Sequence, residues 1–98
     1  MQSITSQELL KMSQIFKILS NENRLKTLHF LFEKERSVGE LTELTQMTQS
    51  AVSHQLKLLK DHQIVSSSKQ GQQVIYSLKD HHIFELLSQA REHVAEDI

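Results

Sequence analysis

The chain has 98 residues, 38% of them hydrophobic, with a formal net charge of -1 and neither cysteine nor proline. This length fits one small domain over residues 1–98, and the lack of cysteine excludes disulfides, thiolate metal sites and a cysteine nucleophile. No apolar run is long enough to span a membrane, and the N-terminus lacks the basic and apolar regions of a signal peptide, so we expect a cytoplasmic protein.

The charge is unevenly distributed along the chain. Residues 44–79 carry four lysines against Asp61 alone, whereas residues 80–98 carry five acidic side chains against Arg91. A near-neutral chain argues against nucleic-acid binding, because contacts with phosphates usually leave a basic footprint. The basic middle keeps DNA as a candidate partner, and the acidic tail indicates a separate task at the C-terminal end.

Helical periodicity dominates the first half of the chain. Apolar residues recur at helical spacing from Thr5 to about Leu19. A second stripe follows the N-cap candidates Ser20 and Asn21 and ends in the charged run 33–36, which we predict to be a solvated turn. A mainly α fold follows.

A short third helix and a fourth helix are predicted to meet across a tight turn. The residues 37–40 fit a capping box, in which Ser37 and Glu40 satisfy each other's backbone groups, and Thr48 is the N-cap candidate of the next helix. Helical phase places two apolar sets inward: Val38, Leu41 and Leu44 in the third helix, and Val52, Leu56 and Leu59 in the fourth.

Two short strands and a last helix complete the prediction. Residues 64–68 and 74–78 favour strands around a mobile loop, 69–73, that contains Gly71. From about His82 a final apolar stripe follows: Ile83, Leu86, Leu87, Ala90 and Val94. The fold class is therefore mainly α with a small β-hairpin.

This order of elements is the pattern of a winged helix-turn-helix, whose second helix enters the major groove of DNA. On an isolated helix, a polar face is more often a solvated surface than a DNA-binding one. Here the capped helix, the turn and the basic hairpin together favour DNA binding. The candidate base contacts are Gln49, Ser50, Ser53, His54 and Gln55; the candidate phosphate contacts are Lys57 and Lys60; the hairpin adds Lys69, Gln70 and Gln72.

Three stretches resemble the ArsR/SmtB family of bacterial metal-responsive repressors. They are residues 16–28 (FKILSNENRLKTL), residues 49–59 (QSAVSHQLKLL) and the hairpin residues 71–76. The resemblance implies a homodimer with the first and last helices at its interface, and a repressor whose binding to double-stranded operator DNA depends on an inducer. No membrane partner is expected, because the apolar runs are too short to span a bilayer.

The acidic tail contains four residues of the types that bind zinc: Asp80, His82, His93 and Glu96. His82 and His93 lie on nearly the same helix face but roughly 16 Å apart along the axis, too far for one ion. An antiparallel partner helix would bring Asp80 and His82 of one chain to His93 and Glu96 of the other. The spacing is also similar to the family's C-terminal-helix metal motif, which implies the same four ligands.

These donors suit zinc, with cobalt as a substitute. His81 is a rival for His82, and Glu92 or Asp97 for Glu96, while His29, His54 and His62 fall outside the site. The alternative is that Asp80 only caps the last helix and the other three residues are solvated.

The sequence therefore predicts a repressor, not an enzyme, whose metal-free dimer binds operator DNA and whose zinc-bound dimer releases it. A constitutive dimeric DNA-binding regulator without a metal inducer is the alternative. A zinc hydrolase fits poorly, because the chain has no His-Glu-x-x-His motif and four protein ligands would fill the coordination shell.

Overall fold

The computed structural model describes residues 3–98 as five helices and a small antiparallel sheet. In chain order the elements are α1 (Ser6–Leu19), α2 (Glu22–Glu33), β1 (Arg36–Ser37), α3 (Val38–Thr45), α4 (Gln49–Asp61), β2 (Val65–Gln70), β3 (Gln73–Leu78) and α5 (His81–Ala95). The mainly α class with a small hairpin is confirmed.

Each helix begins at a side chain that satisfies backbone N–H groups of the first turn. The caps are Thr5, Asn21, Ser37, Thr48 and Asp80. The predicted box at the start of α3 is present: the Ser37 N–H donates to Glu40 Oε1 and the Glu40 N–H to Ser37 Oγ, both at 3.1 Å. Because such a cap contributes about 1 kcal/mol, these residues fix where the helices start.

The sheet has the strand order β1-β3-β2, one strand more than the hairpin predicted from the sequence. The last residue of the charged run and the residue after it cause the difference, because Arg36 pairs with Tyr76 and Ser37 with Ile75 of β3. Arg36 is only 12% exposed, and its Nε donates to the Phe30 carbonyl at 3.1 Å. The prediction of a solvated turn over 33–36 is therefore wrong for Arg36.

The hairpin is also tighter than predicted. Lys69 pairs with Val74 and Gln70 with Gln73, so only Gly71 and Gln72 remain in the turn. Gly71 has φ 63°, a conformation that glycine adopts without steric cost, and glycine first in a two-residue turn is typical of type II′. The strands thus run to the tip of the hairpin.

The core lies between α2, α3, α4 and the sheet. Its buried hydrophobic residues are Ile18, Leu19, Leu28, Leu31, Leu41, Val52, Leu56, Leu59, Ile64 and Val65. The three residues predicted to face inward from α4 are fully buried. In α3, Leu44 is 37% exposed and Thr45 takes the buried place, because Thr45 is one helical turn from Leu41.

The first and last helices keep large apolar side chains at the surface of the chain. On α1 these are Leu9, Leu10, Met12 and Phe16; on α5 they are Phe84, Leu86 and Val94. No residue of α5 is buried. None of the helices between residues 3 and 98 is both long and apolar enough to cross a membrane.

Candidate functional site

The first turns of α4 present a polar surface to solvent. Gln49, Ser50, Ser53 and His54 are all exposed, while Thr48 accepts a hydrogen bond from the Ala51 N–H at 3.1 Å and so starts the helix ahead of them. Short polar side chains on the N-terminal part of a helix are what a major groove accepts. The structure brings these four candidates together on one exposed end of α4.

Gln55 is oriented differently from the other candidate base contacts. Its Oε1 accepts a hydrogen bond from the hydroxyl of Thr27 on α2 at 2.7 Å, and its Nε2 lies 3.7 Å from Sδ of Met47. The side chain is half-buried. Gln55 is therefore occupied with the body of the domain.

The two lysines at the end of α4 are exposed but have partners. The Lys57 ammonium is 3.2 Å from Asp61 Oδ2, one turn further along the helix, and Lys60 Nζ donates to Ser67 Oγ of β2 at 2.7 Å. Ion pairs as exposed as that of Lys57 are worth less than about 1 kcal/mol, so Lys57 can exchange its partner for a phosphate at small cost.

The remaining candidate DNA contacts lie at the tip of the hairpin. Lys69 and Gln70 end β2, and Gln72 belongs to the turn; all three are exposed. Gln70 Nε2 donates to Ser68 Oγ at 3.3 Å. The hairpin of β2 and β3, which we call the wing, thus presents a lysine and two amides at an exposed tip, and side chains of these types contact the DNA backbone.

At the start of α5, Asp80 caps the helix and lies beside His82, the other predicted ligand at this end. Its Oδ1 accepts the His82 N–H at 2.9 Å and so caps the helix, and the same oxygen is 3.4 Å from Nδ1 of the His82 ring. The His82 N–H is the main cause that holds the pKa of the Asp80 carboxyl below its ordinary value, with a small contribution from the rings of His82 and His81. The carboxylate is thus ionised and next to an imidazole.

The rival His81 points to a different group. Its Nε2 is 3.7 Å from Glu85 Oε1, one turn along α5. His29 similarly lies 3.9 Å from Glu33 on α2. These two histidines have carboxylate neighbours of their own.

His93 and Glu96 lie at the other end of α5, and both are exposed. His93 is in the last turn and Glu96 is the C-cap residue. Within residues 3–98 of one chain, no three His, Asp or Glu side chains are grouped as metal ligands would be. One chain keeps the two halves of the predicted metal site apart.

Sequence reasoning missed the contact of Thr27 with Gln55. The signal was present in the helical phase of α4, because Gln55 lies beside the buried stripe of Val52, Leu56 and Leu59. For Thr27 the signal was weaker: it lies one helical turn before Leu31 of the apolar stripe, but threonine is mostly an exposed residue.

The fold and the exposed polar face of α4, its recognition helix, define the class of winged helix-turn-helix proteins. Residues 21–67 match the family model described as "Bacterial regulatory protein, arsR family". The chain belongs to this family.

Known relatives cover most of the chain. It is 33% identical over 86 residues to the transcriptional repressor SmtB homolog of Synechocystis. The matched residues make up 88% of this chain and 65% of that protein. It is 32% identical over 94 residues to the cadmium resistance transcriptional regulatory protein CadC homolog of Staphylococcus aureus, 95% of this chain and 78% of that one. The chain thus spans about two thirds to four fifths of these relatives.

Two solved structures have the same fold. Rv0081 of M. tuberculosis superposes with a TM-score of 0.84 at 34% identity, over 95% of this chain and 93% of that chain. The homodimeric winged helix-turn-helix DNA-binding domain of Mb0332 from Mycobacterium bovis has a TM-score of 0.87 over 99% of this chain and 93% of that one. At 23% identity, the second comparison supports the fold alone.

Proposed function

We propose that the chain is a cytoplasmic, dimeric, metal-responsive repressor whose metal-free form binds operator DNA and whose zinc-bound form releases it. The names of its relatives, a repressor and a cadmium resistance regulator, support the coarser part of this proposal. The observation that carries the zinc part is the 3.4 Å separation of Asp80 Oδ1 and His82 Nδ1.

DNA binding follows from the exposed end of α4 and the wing. Gln49, Ser50, Ser53 and His54 would contact base edges, since each can donate or accept hydrogen bonds in a major groove. Lys57 and Lys60, with the wing residues Lys69, Gln70 and Gln72, would contact the phosphate backbone on either side.

The apolar surfaces of α1 and α5 support dimerisation. Leu9, Met12 and Phe16 on α1, with Leu86 and Val94 on α5, are each more than a third exposed in the single chain. Apolar groups of this size contribute about 25 cal/mol per Å² when they leave water, which favours a second copy as their partner. A pair of α5 helices would then lie at the two-fold axis.

The donor atoms of α5 fit zinc. Two ligands about 2.0 to 2.1 Å from a tetrahedral zinc ion are roughly 3.3 Å apart, close to the observed separation of Asp80 Oδ1 and His82 Nδ1. His93 and Glu96 are three positions apart and so share one face of the helix end. Two antiparallel copies would complete two identical sites of two histidines and two carboxylates.

The contacts of α5 suggest how the metal state reaches the DNA-binding elements. Bound zinc would join one α5 helix to the other. Asp80 follows β3 of the wing by two residues, and Phe84 packs edge-on against Phe32 of α2 with 5.3 Å between ring centroids. A shift of α5 therefore moves the base of the wing and α2 together, and changes the spacing of the two recognition helices.

Operator affinity with saturating zinc and with chelator tests the proposal. A duplex selected from random DNA by the metal-free chain should bind more weakly with zinc, and by linkage DNA should lower the zinc affinity by the same factor. The response should weaken at acidic pH, where histidine is protonated. Equal affinities in the two conditions refute the metal response.

Histidine variants test the ligand set. His82→Ala and His93→Ala should each abolish the zinc effect and leave metal-free DNA binding intact. The matched controls are His81→Ala, in the same turn of α5, and His29→Ala, which both lie beside carboxylates of their own. Loss of the zinc effect in His81→Ala but not in His82→Ala would reverse the assignment of these two residues.

A constitutive DNA-binding dimer remains the second candidate. It is favoured by the capping role of Asp80, which explains that residue without any metal. Zinc binding below one ion per chain, with operator affinity unaffected by metal, would establish it. Ser53→Ala and His54→Ala should weaken operator binding under either candidate.

A further inference from the structure

Gln55 lies on α4, but its amide group joins this helix to α2 and to the turn between α3 and α4. Its Oε1 accepts from the Thr27 hydroxyl of α2, and its Nε2 approaches the sulfur of Met47, which lies between α3 and α4. Of the two contacts, the one with Thr27 is stronger, because it is 2.7 Å long and a thioether sulfur is a weak acceptor.

The position of Thr27 makes this contact costly to lose. Thr27 is 0% exposed, and its Oγ1 lies 2.7 Å from Gln55 Oε1 and 3.2 Å from the Asn23 carbonyl of its own helix. A hydroxyl has one proton to donate, and the shorter distance favours Gln55. Without Thr27 Oγ1, the partly buried amide oxygen has lost its donor.

Helical phase separates Gln55 from the neighbouring candidate base contacts. At about 100° per residue, Gln55 points roughly 60° from the direction of the buried Val52, whereas His54 points about 160° from it. His54 thus faces away from the domain and Gln55 faces its flank. A side chain in the second position is suited to hold the helix.

We propose that Gln55 is a positioning residue for DNA binding: through Thr27 it fixes α4 on α2, and it makes no base contact. Base-contacting side chains must be held to within about 0.5 Å to form good hydrogen bonds, and the Thr27–Gln55 bond restrains the helix that carries them. This inference rests on the proposed DNA-binding function and revises the role expected for Gln55 from the sequence.

The experiment uses the full chain with chelator and a duplex selected by the wild type from random DNA. Affinity is measured for this duplex and for a set in which one base pair at a time is replaced. The variants are Thr27→Val, Gln55→Leu and the two combined, with Thr27→Ser as the conservative variant that keeps the hydroxyl. Thr42→Val is the matched control, because the Thr42 hydroxyl donates only within its own helix, to the Val38 carbonyl at 2.8 Å.

Both single variants should weaken binding by roughly tenfold, the effect of one partly buried hydrogen bond, and the double variant no further. The ranking of the substituted duplexes should stay that of the wild type. Thr27→Ser and Thr42→Val should bind within about twofold of the wild type. A urea titration of each variant establishes that the binding measurements are made on folded protein.

Loss of discrimination at one base pair in Gln55→Leu, with normal binding by Thr27→Val, would show a base contact and overturn the inference. Unchanged affinity in both variants overturns it as well. If Thr27→Val does not fold, Gln55→Leu alone decides between a uniform loss and a loss at one base pair. A wild type that selects no duplex refutes the proposed function itself, and this inference with it.

Discussion

Replacing Arg36 by methionine should destabilise the fold, although the sequence places Arg36 in a charged run that resembles a surface turn. Its Nε donates to the Phe30 carbonyl at 3.1 Å, and its Nη2 lies 2.8 Å from Glu33 Oε1. The guanidinium also lies 5.9 Å from the Phe30 ring centroid. The side chain therefore ties the end of α2 to β1.

The contact with the carbonyl dominates the expected loss. A hydrogen bond that involves a charged group contributes about 1.5 to 3 kcal/mol, whereas the pair with the half-exposed Glu33 adds less than about 1 kcal/mol. We expect Arg36→Met to lower the free energy of unfolding by about 2 kcal/mol, or the Tm by roughly 8 to 16 °C. Lys34→Met, an exposed change in the same run, should stay within about 0.5 kcal/mol.

Urea denaturation followed by circular dichroism measures both variants. Protein concentration is held constant, because the stability of a dimer depends on it. High salt should reduce the loss only slightly, since screening weakens the pair with Glu33 and leaves the hydrogen bond to the carbonyl. If Arg36→Met and Lys34→Met unfold at the midpoint of the wild type, the structural role given to Arg36 is wrong.

Four further substitutions test the fold. Gly71→Ala should lower the free energy of unfolding by about 1 kcal/mol, because φ is 63° at this position. Gly39→Ala should be neutral or raise it by up to about 1 kcal/mol, because alanine favours the helix and its Cβ would lie 3.8 Å from Ser37 Oγ. Thermal unfolding of the two variants measures both effects. Leu56→Ala should cost about 2 to 5 kcal/mol in urea denaturation, because Leu56 is fully buried, and a loss below 1 kcal/mol would contradict its place in the core. The hydrogen bond from the Thr5 N–H lowers the pKa of Glu8 from its ordinary value. The stability that ionised Glu8 contributes is therefore complete above the ordinary pKa and is lost as the pH falls through the lower, folded-state pKa. The difference in Tm between wild type and Glu8→Ala should shrink on acidification, and a constant difference down to pH 2 would contradict this.

The helix starts could be predicted from the sequence because caps are local. Ser37 and Glu40 are three residues apart, and their two hydrogen bonds need nothing from the rest of the chain. The third strand could not be predicted in this way, since Arg36 pairs with Tyr76, forty positions away. Two residues are also too few to show the alternation that indicates a strand.

The candidate sites were predictable to different degrees. The polar face of α4 follows from helical phase, which also contained the orientation of Gln55 beside Val52. The capping role and the ligand type of Asp80 are both local properties. The proposed meeting of His93 and Glu96 with Asp80 requires a second chain. Periodicity within one chain has the same form for an apolar face that packs internally and for one that packs against a partner.

The lack of any buried residue in α5 has a consequence for the amount of regulator in a cell. Ile83, Phe84 and Leu87 hold one side of this 15-residue helix to the domain, but Leu86 and Val94 stay exposed, so a lone chain should expose α5 to proteases more than a pair does. Newly made chains would then survive in proportion to how often they meet. The pool of regulator would fall steeply below a threshold of synthesis, and under the proposed function the gene it controls would respond to the rate at which the regulator is made as well as to the metal.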